Sequence, residues 1–452
     1  MKQIAEPARS IPVLAETEVL VVGSGPGGLA AAIAAAREGA RTILLDRYGC
    51  FGGLITQAGV ETIAWYRHDH TVDSEGIGIE FERRAAAMGA TQPESQSCSE
   101  ALDTELFKHV ADELVREAGV EPLLHCLAVA PLVDDGLVTG VVTESKSGRQ
   151  AILARRVIDA TGDADLAARA GAPCRATPAA ERMGVSIVFS CVGVDRQRFL
   201  EYIAEQAPTY GDWRRRWKVE TTGKEDALFS PYLQEPFDRA RESGLIPAGI
   251  RGLGGTWGRL TAAGEATCLN MVYIADCDCT DVRDLTRAEM EGRRRALMAL
   301  EALRRFAPGF EAARLRDFGM AVGGRDSRKI AGRHELTAAE VTGEARFADS
   351  IGIFPEFIDG YGLLVLPTTG RYFQVPYGIL VPRDVDNLLV AGRCVAGDKV
   401  AHAATRSQVC CAVTGQAAGV AAAVSLRDGV TTGGVDVARV QAALRRQGVR
   451  LF

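Results

Sequence analysis

Residues 19–46 read VLVVGSGPGGLAAAIAAAREGARTILLD, and the order of residue types along this stretch decides the fold. Val19 to Val22 form an apolar run of the kind that becomes a buried strand. Gly23, Gly25 and Gly28 follow at once as G-x-G-x-x-G. The first glycine permits a tight turn, the second lets the backbone approach a pyrophosphate, and the third lets the following helix pack against the sheet. Ala30 to Ala36 continue as a helix of small side chains, whose amino end aims free N–H groups and partial positive charge at the phosphates. A second apolar run ends in Asp46, roughly twenty residues on, where a carboxylate meets ribose hydroxyls and disfavours a 2′-phosphate. Strand, glycines, helix, strand and acid in register predict a Rossmann-type site for FAD or NAD, with Ser24 and Arg47 beside the ligand.

Outward from this core, Arg47 to Gly59 holds Gly49, Gly52, Gly53 and Gly59 and reads as a loop passing close to the ligand. Residues 101–118 read as an amphipathic helix with Leu102, Leu106, Val110, Leu114 and Val115 near one face, ending at Gly119. From Leu123 to Ile158, short β-rich runs are punctuated by Asp135-Gly136 and Ser147-Gly148, which predicts an antiparallel meander inserted in the nucleotide domain. Val157 to Asp163 then reads as a strand ending in a glycine turn. From about Gly171 to Pro376 the pattern changes: Trp213, Trp217 and Trp257 fall here, the glycines are irregular, and one long helical run covers Thr286 to Arg305. Leu388 to Gly392 restores the first style as a strand, and Ala401 to Val424 reads as one long small-residue helix. The expected class is α/β, with a discontinuous nucleotide domain (1–170 and 377–452) and an α+β substrate or cap domain (171–376).

The bulk numbers agree with about two or three domains in 452 residues. A formal charge of −6, from 52 basic and 58 acidic residues, leaves no electrostatic footprint for nucleic acid. Arg214–Arg216 and Arg293–Arg295 are basic clusters, the second beside Glu289 and Glu291, and they read as solvated faces. No stretch approaches the about eighteen apolar residues of a membrane span, and the amino terminus lacks a secretory pattern. Eleven cysteines without disulfide spacing fit a reducing, cytoplasmic setting.

Several of these motifs, taken in order, resemble the FAD-dependent oxidoreductase family of the glutathione-reductase-like flavoproteins. They are the opening fingerprint, Val157 to Asp165, Gly323 to Gly332 (GGRDSRKIAG), and Leu388 to Cys394 continuing to Gly415–Gly419. The resemblance favours FAD over NAD. It implies that Asp46 binds the adenosine ribose, that Gly52 and Gly53 approach the pyrophosphate and flavin, that Thr161, Gly162 and Asp163 lie alongside, and that Gly392, Gly397 and Asp398 hold the flavin side. Asp163 and Asp165 are equally good helix caps. Relatives carry a Thr-His-Glu-like triplet where this chain has Asp398-Lys399-Val400, so a base supplied from there is missing.

The remaining chemistry is one proton and a substrate grip. His402 is the first candidate base, because a near-neutral imidazole suits that work, although a histidine satisfied at a helix interface fits equally. Tyr377 is a second candidate, and His334 a weaker one. Arg325, Arg328 and Arg406 offer planar donor forks to an oxygen-rich or carboxylated small-molecule substrate, and His68 and His334 join them as pocket candidates. The segment Trp65 to His70 holds two histidines but no third ligand, so no metal is expected. Cys277/Cys279 and Cys410/Cys411 read as buried thiols, and Gly252–Gly258 lacks the flanks of a second nucleotide loop. The expected activity is dehydrogenation or oxidation of a small organic substrate by hydride transfer to flavin N5, with oxygen or a protein as electron acceptor and no nucleic-acid or membrane partner. A fumarate-reductase-like reductase or a flavin monooxygenase would use the same parts. A flavin electron-relay subunit of an iron–sulfur complex, like those of heterodisulfide reductase, belongs to another class.

Overall fold

The computed structural model describes residues 2–64, 67–69, 71–94, 96–205, 217–223, 228–230 and 232–452. Trp65, Tyr66, His70, Trp213 and Arg214–Arg216 lie outside these residues.

A seven-stranded mixed sheet is built around Val13–Val22, which pairs in parallel with Thr42–Leu45 on one side and Gly148–Asp159 on the other. The long strand Gly148–Asp159 is shared. Its first half pairs antiparallel with Leu137–Ser145 and its last residues pair in parallel with Leu388–Val390, so the late strand joins the sheet formed at the start of the chain. Leu127–Asp134 and Leu137–Ser145 turn at Asp135 and Gly136, both with positive φ, as the sequence predicts.

Helix Pro26–Arg37 crosses Gln408–Asp428 at backbone contact. A Cβ on Gly415 would lie 1.9 Å from the Gly27 carbonyl oxygen, and one on Gly419 would lie 2.1 Å from that of Ala31. Small residues on both helices are therefore a packing requirement. Gln408–Asp428 is long and apolar enough to cross a membrane by composition alone, a feature the sequence reading passed over, yet 94% of that apolar window is buried inside the fold.

A second core surrounds a five-stranded sheet in the order Tyr232–Leu233, Leu253–Thr256, Ala266–Ile274, Val185–Val192, Arg314–Phe318. Helix Val282–Phe306 lies on it, with Gly292 against Ile187, and Phe199 packs edge-on to Trp257 and Phe310.

Three expectations need correction. Ile330, Leu336, Ile351, Phe354 and Phe373 pack into the first core, so the break in packing falls before residue 330 and not at 376. In the helix Thr104–Glu117, Leu106 is exposed and Phe107 takes its buried place, while Leu102 lies in a short strand before the helix. The stretch expected as one helix from Ala401 is two, Lys399–Thr405 and Gln408–Asp428, broken at Arg406 and Ser407.

Candidate functional site

Two cavities meet where the two cores face each other. The first, about 670 Å³, lies along the fingerprint and is lined by Gly23, Ser24, Gly25, Asp46, Arg47, Gly53, Thr161, Gly162, Asp163 and Gly392 among others. The second, about 600 Å³, lies between Ala266–Ile274, the 323–325 loop and the 357–362 segment. Leu54, Gly324, Arg393, Arg406 and Gln408 line both, so the second cavity opens on the first.

The three fingerprint glycines have different reasons. Gly23 has φ +95° and a Cβ there would sit 2.5 Å from the Ala160 oxygen; a Cβ on Gly28 would sit 1.8 Å from the Gly23 oxygen. Both are fixed by the fold. Gly25 would meet nothing closer than the Gly53 Cα at 3.9 Å, so its missing side chain leaves room in the cavity. It caps helix Pro26–Arg37 with no side-chain partner, which leaves first-turn N–H groups for an anion. Asp46 accepts hydrogen bonds from Ser24 N (2.7 Å), Ser24 Oγ (2.6 Å) and Tyr48 N (2.8 Å), tying the glycine turn to the end of the second strand.

A dinucleotide with a flavin fits this cradle. Besides the open side of Gly25, the walls carry buried polar atoms without partners: Gln57 Oε1, Arg393 Nη1 and Gln408 Oε1. A ligand rich in donors and acceptors would satisfy them.

Asp159, Asp163 and Asp165 divide their work differently from the expectation. Asp159 and Thr161 cap helix Asp165–Arg169, through Leu166 N and Ala167 N to Asp159 Oδ2 and Asp165 N to Thr161 Oγ1. Asp163 pairs with Arg393 at 3.1 Å, and Asp165 with Arg328 at 2.6 Å. Arg328 is thus a structural clamp outside the second cavity. Gly28, Gly52, Gly397 and Asp398 do not line the first cavity. The Asp398 carboxylate caps Lys399–Thr405 through Val400 N and Ala401 N and also accepts from Ala338 N.

None of the proposed bases reaches either cavity. His402 is 1% exposed, its Nε2 lies 2.9 Å from the Arg325 carbonyl oxygen, and burial lowers its pKa to about 3. Tyr377 is buried and donates to the Thr432 carbonyl, and burial pushes its phenol up. His334 pairs with Glu340, whose side chain completes a helix capping box. His68 is buried away from both cavities, with burial lowering it to about 4. The small residues flanking His402, Ala401, Ala403 and Ala404, were the sign in the sequence that its helix packs too tightly for a solvent-facing imidazole.

Arg325 and Arg406 do line the second cavity. Arg325 lies over the Tyr273 ring at 4.7 Å and donates from Nε to Ser186 Oγ. Beneath it, Asp326 is held by Lys329 at 2.7 Å and by the Tyr361 hydroxyl at 2.6 Å. Burial acts to raise that carboxyl, but the Lys329 ammonium outweighs it and leaves it at about 2. This buried pair anchors the loop that presents Arg325. Arg406, turned out by the helix break, pairs with Asp359 at 2.8 Å.

Sequence reasoning missed Glu94. It lines the second cavity and accepts from the Thr62 hydroxyl and from Ser97 Oγ at 2.7 Å, with no basic partner among the described residues. Burial, only partly offset by those hydroxyls, raises its pKa to about 7. Nearby Glu61 is likewise raised to about 7, chiefly by burial. No local pattern in the polar run around Glu94 marks it. All eleven cysteines are free, with Cys126, Cys279 and Cys411 in the wall of the first cavity. Among the described residues no group of His, Cys, Asp and Glu could hold a metal ion.

A family model described as FAD dependent oxidoreductase matches residues 18–444. The digeranylgeranylglycerophospholipid reductase 2 of Methanopyrus kandleri is 30% identical over 186 residues, 40% of this chain and 46% of that one. The sarcosine oxidase subunit alpha of Corynebacterium sp. (strain U-96) is 50% identical over 58 residues, 13% of this chain and 6% of that one. The chain thus spans less than half the length of these curated relatives. Among solved structures, a geranylgeranyl bacteriochlorophyll reductase-like protein from Thermoplasma acidophilum aligns over 96% of this chain and 82% of its own, at 13% identity and a TM-score of 0.47.

Proposed function

The chain belongs to the FAD dependent oxidoreductase family, and we propose that it dehydrogenates a small organic substrate held in the second cavity. FAD is its cofactor, and when bound it supplies the hydride acceptor. The observation that carries the reading is the shared wall of Leu54, Gly324, Arg393, Arg406 and Gln408, which lets a molecule in the second cavity touch one in the first.

The chain's own residues supply the rest. Gly25 and the first turn of Pro26–Arg37 hold the pyrophosphate, and Asp46 the adenosine ribose. Arg325 and Arg406 orient the substrate, and the walls of Leu54, Val188 and Phe357 exclude water from it. Glu94, the one cavity acid bonded only to hydroxyls among the described residues, takes the substrate proton. Oxygen or a protein then takes the electrons, in the cytoplasm, a setting the eleven free thiols support.

Anaerobic mixing of the holoenzyme with candidate substrates tests this: the oxidised flavin band bleaches with a dehydrogenation substrate. The sequence relatives named as reductases favour a second reading, in which the same site reduces a double bond. That reading predicts the reverse, with pre-reduced enzyme regaining its band anaerobically on addition of an alkene. If only oxygen together with an organic substrate gives a modified product, both give way to monooxygenation.

A further inference from the structure

Among the described residues one arginine lining the second cavity has no carboxylate beside it, and that specifies what the cavity takes. Five arginines line it, and four have a carboxylate: Arg182 with Asp278 at 3.3 Å, Arg241 with Asp238 at 3.1 Å, Arg393 with Asp163 at 3.1 Å and Arg406 with Asp359 at 2.8 Å. Among the described residues Arg325 has none; its partners are the Ser186 hydroxyl and the Tyr273 ring. The cavity acids do not compensate it. Glu181 pairs with Lys399, Asp238 and Asp359 are already counted, and Glu94 sits among hydroxyls. The partly buried Arg325 guanidinium is therefore left over, free to take an anion from a ligand.

Unsatisfied donors cluster at the same place. Arg182 Nε and Arg406 Nε are buried without acceptors among the described residues, and both residues line this cavity. They call for a ligand that brings acceptor oxygens and one negative charge. The rest of the lining includes the apolar side chains Leu54, Ile63, Val188, Trp257 and Phe357.

Resting on the proposed function, we infer that the substrate is a monocarboxylate, gripped by Arg325 beside the joint of the two cavities, with an apolar body packed among these apolar side chains. A carboxylate matches the planar fork of a guanidinium. A phosphate monoester, with close to two charges near neutrality, exceeds the single charge left over.

Trp217 and Trp257 line the cavity, so binding is read by tryptophan fluorescence as well as by the flavin spectrum. The probes are propionate, hexanoate and benzoate, each paired with its amide, together with phenyl phosphate, titrated into FAD-loaded protein. At least one acid binds saturably while its amide binds about ten- to a hundredfold more weakly, the usual worth of a hydrogen-bonded charge. Arg325→Gln loses that preference at unchanged FAD content and melting temperature, and Arg325→Lys regains part of it. Equal affinity for acid and amide across the series, an acid preference that survives Arg325→Gln, or tighter binding of phenyl phosphate overturns the inference. If Arg325→Gln fails to fold, Ser186→Ala, which frees the Arg325 Nε, must weaken acid binding severalfold or the inference fails. A protein that cannot be loaded with FAD refutes the proposed function instead, and the fluorescence titration of the unloaded chain still reads the carboxylate site.

Discussion

His402 Nε2 donates to the main-chain carbonyl oxygen of Arg325 across 2.9 Å, joining the buried helix Lys399–Thr405 to the loop that carries the cavity's unpaired arginine. Burial keeps the ring neutral, so with Nε2 as donor Nδ1 is the unprotonated nitrogen, and it has no partner among the described residues. The residue whose type best suits a base therefore acts as a positioning residue, holding Arg325 from behind.

This arrangement fixes the sign of an acid effect. Burial keeps the folded imidazole neutral down to about pH 3, whereas the unfolded ring takes a proton at the ordinary histidine value. The unfolded state thus binds the extra proton as pH falls below about 6.5 towards about 3, and stability declines over that window. His402→Gln, which cannot titrate, retains FAD and declines less steeply. Parallel urea midpoints of wild type and variant from pH 7 to pH 4 would refute the assignment.

Gly23 and Gly25 are expected to fail in different ways. The Cβ of Gly25→Val meets nothing closer than the Gly53 Cα at 3.9 Å and the backbone there is ordinary, φ −61°, so the apo protein keeps nearly its full melting temperature while FAD binding is lost. Gly23→Ala forces a left-handed backbone, at about 1–2 kcal/mol, and drives its Cβ into the Ala160 carbonyl, so the apo fold itself weakens. Apo melting curves alongside FAD content separate the two. A Gly25→Val protein with normal FAD would remove that residue from the cradle.

Asp46→Ala should weaken FAD binding by roughly 1.5–3 kcal/mol, about ten- to a hundredfold, through loss of a charged acceptor. Because Asp46 also ties down Ser24 and Tyr48, Asp46→Asn, which keeps one acceptor oxygen, should lose less than Asp46→Ala. Dissociation constants from flavin fluorescence decide it; equality of all three proteins contradicts the ribose role.

The cradle was legible because its logic is local. Gly23, Gly25, Gly28 and Asp46 lie within one strand–helix–strand unit, where backbone sterics select Gly23 and Gly28 and close ligand approach selects Gly25. The second cavity draws Glu94, Tyr273, Arg325, Asp359 and Arg406 from separate elements. Nothing near any one of them announces the others. Asp398 misled because an acid before a helix of small residues serves a cap and a ligand equally well, and only tertiary packing shows that it faces away. Arg406 was found for its residue type, while the helix break that turns it into the cavity was not, since Ala401 to Val424 carries no glycine or proline at the break.

Glu94 carries the last expectation. Its carboxyl is raised to about 7 in the fold by burial, so between the ordinary carboxyl range and about pH 7 the folded state keeps a proton that the unfolded state has lost. Stability must therefore fall as pH rises through that window and level off above it. Glu94→Gln, neutral at every pH, removes the effect, so the variant gains about 1–3 kcal/mol over wild type at pH 8 and nothing at pH 5. A purely structural carboxyl would stop there. A group that takes the substrate proton would also slow flavin reduction about a hundredfold to ten-thousandfold in the same variant, and would give the wild-type rate a dependence on a group titrating near neutrality. The two readouts separate the roles: a stability gain at pH 8 with wild-type reduction rates leaves Glu94 as a buried acid of the cavity wall and returns the search for the proton acceptor to the substrate end of Arg325.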